Sequence, residues 1–219
     1  LAASGANVVI NGRSQSKVDD AVRKLDGLGG KVSGIAADVS TAAGCKALVA
    51  AIPEVDILIN NAGIFEAKDF FDIPDEDWSR FYEVNVMSGV PLTRANLHGM
   101  INRNWGRIVF ISSESALNIP TEMIHYGMTK TAQLAIARGL AQLTRGTSVT
   151  VNSVLPGPTM SEGVETFIKD LAGQSGQSLD EAGANFVKQY RPTSLLQRLA
   201  SVQEVANMVD KLLRPLPES

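Results

Sequence analysis

Residues 55–63 read Val55-Asp56-Ile57-Leu58-Ile59-Asn60-Asn61-Ala62-Gly63, an apolar run that stops abruptly in small polar residues. A strand that is apolar on both faces suits the interior of a parallel sheet with helices on either side. Upstream, Val8-Val9-Ile10 and residues 32–37 have the same character; downstream, so do Arg107-Ile108-Val109-Phe110-Ile111 and residues 148–154. Between these runs the period changes to that of a helix. Ser14 is placed to cap a helix carrying Val18, Ala21, Val22 and Leu25 on one side, and Thr41 opens another through Leu48, Val49 and Ile52. A long helical region covers about 75–104 and is expected to bend or break near Pro91. Residues 125–144 form an Ala/Leu-rich helix, two helical stretches lie within 162–189, and a last helix covers 202–213. The ending Arg214-Pro215-Leu216-Pro217-Glu218-Ser219 is a Pro-broken tail. Strands alternating with helices predict an α/β chain with a doubly wound parallel sheet, one domain over 1–219, and ligands bound beyond the carboxyl ends of the strands.

Bulk composition narrows the function. Of 219 residues 44% are hydrophobic and 20% charged, the balance of a globular domain. The net charge of -3 includes no basic block, which argues against nucleic acid or an anionic membrane as partner. The lone Cys45 excludes an internal disulfide framework and suits a reducing, cytoplasmic setting. No metal-binding cluster and no membrane-spanning run is evident.

Each strand ends in small, polar or basic residues at one rim of the sheet: Gly12-Arg13-Ser14, Asp38-Val39, Asn60-Asn61-Ala62-Gly63, Ser112-Ser113, and Pro156-Gly157-Pro158-Thr159. Any one of these is an ordinary turn; five at one rim read as a binding crevice. Tyr126-Gly127-Met128-Thr129-Lys130 sets a phenol and an ammonium four apart, one helical turn from each other. The ammonium is expected to lower the phenol pKa from about 10 and make Tyr126 a general acid/base. Ser113, thirteen residues earlier, supplies a hydroxyl for a substrate carbonyl.

Asn60-Asn61-Ala62-Gly63, Asn85, Ser113, Tyr126-x-x-x-Lys130 and Pro156-Gly157, in this order and spacing, resemble the short-chain dehydrogenase/reductase family, in particular its 3-oxoacyl-carrier-protein reductase-like branch. The resemblance runs from residue 1 to about 213 and implies a Rossmann-like fold. It implies that Tyr126 exchanges a proton with the substrate oxygen, that Lys130 lowers the Tyr126 pKa and holds the nicotinamide ribose, that Ser113 orients the carbonyl, and that Asn85 supports a proton-relay water. Asn61-Ala62-Gly63 would lie against the adenosine half of the cofactor, Asp38 would meet the adenine amino group and Val39 pack on the ring. Pro156 and Gly157 would border the nicotinamide, with Thr159 or Ser161 at its carboxamide. Where NAD-selecting relatives carry an acid, this chain has Gly12 followed by Arg13 and Ser14, which favours NADP(H) over NAD(H). The implied reaction moves a hydride between the cofactor and a ketone or secondary alcohol.

By the same resemblance Glu114, Ser115, Ile119, Met123, His125 and residues 160–190 line the substrate mouth, packing being the stronger reading for His125. Trp78 and Trp105 are core or subunit-contact residues. Helices near 85–104 and 125–145 pair between subunits, implying a homodimer or homotetramer. The family's Thr-Gly-x-x-x-Gly-x-Gly turn has no match here, and residues 1–5 read as the end of a helix. The expectation is thus a sheet lacking its first and last strands, truncated at both ends. The alternative reading is a truncated, non-catalytic subunit or binding module.

Overall fold

The computed structural model describes residues 1–214, apart from the side chains at 167, 170, 171, 174 and 175. β1 (Val8–Gly12) pairs in parallel with β2 (Val32–Ala36), Val8 opposite Val32. β3 (Ile57–Asn60), β4 (Gly106–Ile111) and β5 (Val149–Val154) form a second parallel group with β4 in the middle, Ile57 opposite Arg107 and Gly106 opposite Val149. The intervening helices are α1 (Gln15–Lys24), α2 (Ala42–Ala51), α3 (Asp75–Tyr82), α4 (Gly89–Asn102), α5 (Ile124–Leu143), α6 (Glu162–Ser175), α7 (Leu179–Tyr190) and α8 (Val202–Leu213). A short parallel pair, β6 (Thr159–Met160) with β7 (Ala200–Ser201), is too brief to show in the sequence pattern. Among the described residues no ladder joins β1 to β3. Of the Pro-broken tail, residues 215–219 lie outside the described part.

β4 shows why the strands read as apolar throughout. Ile108 and Phe110 pack with Leu97 and Met100 of α4, Ala137 of α5, and Val149 and Val151 of β5. Val109, one residue out of phase, packs on the other face with Val154 of β5 and with Val209 and Leu213 of α8. The two-residue period of a strand thus sends alternate side chains into two cores, and both must be apolar. A third cluster, Ile168, Ala182, Val187 and Leu199, ties α6 to α7.

Two local expectations need correction. Ser14 stands at the N-cap of α1, but its hydroxyl meets that of Ser16 (2.9 Å) and caps no amide. Thr41 does cap α2, accepting from the Gly44 amide at 3.0 Å. The long helical region does not break at Pro91. It changes at a π-helical turn, Glu83–Met87, where the Ser88 amide reaches back to the Glu83 carbonyl at 3.0 Å. Pro91 stands four residues after Met87, the last residue of that turn, and having no N–H it cannot return a bond to the Met87 carbonyl.

The start of α5 is anchored on α3 by a fully buried His125. Its ring lies 4.1 Å from that of Phe81 and 6.0 Å from that of Trp78. Neither ring nitrogen has a hydrogen-bond partner among the described residues, so His125 packs, as expected. Burial pushes its pKa below the ordinary 6.5, against the weaker pull of Asp77 and Glu66. Below that pH the unfolded chain takes up a proton that the folded chain resists, so stability falls as pH falls. The melting temperature should drop between about pH 7.5 and about pH 5.5, and His125→Phe should flatten that drop. Parallel curves for the two proteins would show that His125 is not responsible.

Candidate active site

The end of β4 is pinned from two sides. The Ser112 amide donates to the Val154 carbonyl of β5 (2.8 Å), and its hydroxyl donates to the Lys130 carbonyl of α5 (2.9 Å). Ser113 follows, its Oγ accepting from the Ser115 amide at 3.1 Å. The Glu114 amide donates to the Pro156 carbonyl at 3.0 Å, which draws the turn after β5 to the same place. The first turn of α5 presses on this loop at Gly127, where a Cβ would stand 2.6 Å from Ile119 Cγ2 and 3.0 Å from the Ser115 carbonyl. A side chain there would force Ile119 to move and crowd the Ser115 carbonyl.

This packing brings Ser113, Tyr126 and Lys130 together, with Ser113 close enough to the Tyr126 phenol to act on its pKa. Lys130 is buried. Its Nζ donates to the Ile111 carbonyl (2.9 Å) and to Gln133 Oε1 (3.4 Å), and lies 5.6 Å from the centre of the Tyr126 ring. Desolvation takes the Lys130 pKa down to about 8. The expected lowering of the Tyr126 pKa by Lys130 is not what the site does. Burial pushes the phenol up; the Ser113 hydroxyl opposes this, Glu114 adds to it, and Arg191 opposes it. The ammonium lies over the ring and gives two of its three donors to the Ile111 carbonyl and Gln133 Oε1.

Asn85 is wholly buried within the π-helical turn. Its Nδ2 donates to the Ile64 carbonyl and to Thr129 Oγ1, both at 3.0 Å, and its Oδ1 accepts from the Ile64 amide at 2.7 Å. The side chain thereby clamps the loop after Asn61-Ala62-Gly63 to α5. A Cβ on Gly63 would lie 3.4 Å from Asn85 Oδ1 and 3.6 Å from Lys130 Nζ, so this turn borders the same cluster. The Asn85 carbonyl accepts from Gln133 Nε2 at 2.5 Å.

A second group stands at the ends of β1 and β2. Arg13 and Ser14 follow β1, with Arg13 exposed. Asp38 accepts from the Ser40 amide (3.1 Å) and hydroxyl (2.7 Å), and these bonds, with the Arg13 charge nearby, hold its carboxyl below the usual range. Val39 is buried, and its carbonyl meets Cys45 Sγ at 3.1 Å. On the far side of the first cluster Thr159 Oγ1 donates to the Gly157 carbonyl (2.9 Å), and Ser161 caps α6 in position but makes no side-chain cap bond.

Sequence reasoning missed two residues. Gln133 shows itself only by its three-residue spacing from Lys130. Arg191, just after α7, has no local signal; its Nε donates to Glu114 Oε1 (2.9 Å) and its Nη1 to Glu122 Oε1 (3.3 Å), binding α7 to the loop that carries Ser113. Of the expected mouth residues, Ile119 is exposed and Ser115 is buried. Among the described residues no cluster of three or more His, Cys, Asp or Glu could hold a metal, and no helix is long and apolar enough to cross a membrane.

The family described as short chain dehydrogenase matches residues 1–172. An uncharacterized oxidoreductase of Bacillus subtilis (strain 168), YvaG, is 50% identical over 218 residues, covering 99% of this chain and 83% of the relative. A crystal structure of a putative betaketoacyl-ACP reductase, 31% identical, superposes with a TM-score of 0.80 over 98% of this chain and 82% of the other. L-sorbose reductase from Gluconobacter frateurii, solved in complex with NADPH and L-sorbose, is 27% identical with a TM-score of 0.87 over 97% and 81%.

Asn85→Ala would leave the Ile64 amide and carbonyl without their partner, while the Thr129 hydroxyl would keep the Tyr126 carbonyl at 2.7 Å. It should destabilise the fold by about 2–4 kcal/mol in urea titrations, since each unmet polar group carries its own desolvation cost. A loss under about 0.5 kcal/mol would show that the clamp is not structural.

Proposed function

The chain belongs to the short-chain dehydrogenase family and is a nicotinamide-dependent oxidoreductase, and we propose that it moves a hydride between NADP(H) and a ketone or secondary alcohol, with Tyr126 as general acid/base. The observation that carries this reading is the meeting of Ser113 and the Tyr126 phenol beside the buried Lys130 ammonium. With its pKa pushed up by burial, Tyr126 holds its proton at neutral pH and can give it to a carbonyl oxygen. Ser113 orients that oxygen, and Asn85 fixes the loop beside them. Two of the three Lys130 donors are taken by Ile111 and Gln133, leaving one for a ribose hydroxyl.

The nicotinamide cofactor, when bound, supplies or accepts the hydride. Arg13, Ser14, Asp38, Val39, Asn61, Ala62 and Gly63 would hold its adenosine half. Tyr126, Lys130, Pro156, Gly157, Thr159 and Ser161 would hold its nicotinamide half. Preference for NADP(H) is supported by Arg13, an exposed guanidinium just beyond β1 and within electrostatic reach of Asp38, suited to a 2′-phosphate. The bound NADPH of L-sorbose reductase agrees with this reading.

The substrate is read as a small ketone or an acyl-chain carbonyl, since Leu117 and Ile119 expose apolar surface after Ser113. A homodimer or homotetramer is supported by a groove of about 580 Å³ between α4 and α5, lined by Val90, Leu97, Ile101, Ile136, Leu140 and Leu143 among others. The free, buried Cys45 suits a cytoplasmic protein.

Two substitutions test the assignment. Tyr126→Phe should lower turnover by about 100-fold or more while cofactor affinity barely moves; a variant that keeps most of its activity would remove Tyr126 from the mechanism. Arg13→Ala should weaken NADPH binding by about 1.5–3 kcal/mol in calorimetry and leave NADH nearly unaffected. Equal losses for both cofactors would rule out the phosphate contact.

A further inference from the structure

Gln133 lies three residues after Lys130 on α5, on the same side of the helix, and is 2% exposed. We propose that Gln133 is a positioning residue for Lys130: its carboxamide spans from the Lys130 ammonium to the Asn85 carbonyl, fixing where the ammonium sits. The importance of this for proton transfer rests on the roles of Tyr126 and Lys130 proposed above.

The orientation of the amide is forced. An ammonium only donates, so it must face Oε1, found at 3.4 Å. A backbone carbonyl only accepts, so it must face Nε2, found at 2.5 Å. A flipped amide would set donor against donor and acceptor against acceptor. The acceptor also does electrostatic work, because an oxygen dipole aimed at the cation favours its charged form where burial opposes it. Of the nearby titratable groups, Tyr126 is on the same helix, while Glu114 beyond β4 and Arg191 beyond α7 act on that phenol. Among the described residues no carboxylate pairs with Lys130, so the neutral acceptors Ile111 and Gln133 are what hold its charge.

The test uses the whole chain with isotope-labelled lysine, following the Lys130 side-chain NMR signal through a pH titration, with Lys130→Arg as the assignment control. The wild-type midpoint should lie at about 8. Gln133→Met, close in shape but without the acceptor, should lower it by about half a pH unit or more. Gln133→Glu, which restores an acceptor and adds a charge, should raise it by about one pH unit. Midpoints that stay put in both variants, or move the same way, would overturn the proposal. If the Met variant fails to melt cooperatively, the Glu variant decides: a midpoint at or below the wild-type value overturns it. The pH dependence of kcat should shift with the lysine midpoint, and a folded Gln133→Met whose kcat profile is that of the wild type would refute a role in catalysis. A wild type that turns over no ketone with either cofactor would sink the functional reading, and the lysine titration would still judge the positioning role.

Discussion

Lys130 is 5% exposed, and its ammonium has no carboxylate partner among the described residues. A cation in that position is costly unless its hydrogen-bond directions are met. The carbonyl of Ile111, at the very end of β4, meets one of them, so the lysine can sit only where the strand has stopped. Ser112 then ties the Lys130 backbone to the same strand end. Side chain and main chain of one residue are thus both fixed to β4, and α5 has little freedom to slide along the sheet. Ser113, the next residue along the strand, is delivered to Tyr126 by the same two bonds.

The neighbouring segments are arranged around this fixed point. The π-helical turn presents Asn85 toward α5, its side chain gripping the loop after Gly63 and its carbonyl held by Gln133. The amide of Glu114 draws in the turn after β5, and the carboxylate of Glu114 holds Arg191. The turn after β5 and the end of α7 thus converge on the loop between Ser113 and Tyr126. The Glu114–Arg191 pair also brackets the phenol electrostatically, one member raising its pKa and the other lowering it. A movement of α7 that drew Arg191 away would leave Glu114 uncompensated and strengthen the hold on the phenolic proton.

The strands and most helices were legible because burial on both faces leaves a plain apolar run, and because cap residues mark helix starts; the last helix, 202–213, has its expected bounds. The irregularity expected near Pro91 lies just before it, at Glu83–Met87, and what proline does not reveal is that it takes the form of a π turn. The cluster of Ser113, Tyr126 and Lys130 was legible from spacing alone: thirteen residues of loop and four of helix close the distance. Its electrostatics were not. Sequence spacing brings an ammonium near a phenol but does not reveal that the ammonium lies over the ring, nor how dry the site is. Arg191 and Gln133 act through contacts 77 and 48 residues away, with Glu114 and Asn85, and no local pattern encodes such distances.

The directions of the two shifts bear on how the unliganded site is set. Burial disfavours charge, and it therefore moves an acid and a base oppositely: the phenol up, the ammonium down to about 8. At neutral pH the phenol is protonated, and the ammonium remains mostly charged because about 8 still lies above it. On the proposed roles the resting site therefore holds the proton that a carbonyl reduction consumes. Alcohol oxidation needs the reverse, a phenolate. That form is opposed by the same burial that makes the site dry, and by Glu114. It is favoured by the Ser113 hydroxyl and by any added positive charge near the ring. An oxidised nicotinamide carries such a charge and a reduced one does not. The protein alone is thus biased toward giving the proton, and the redox state of a bound cofactor is the term able to reverse that bias.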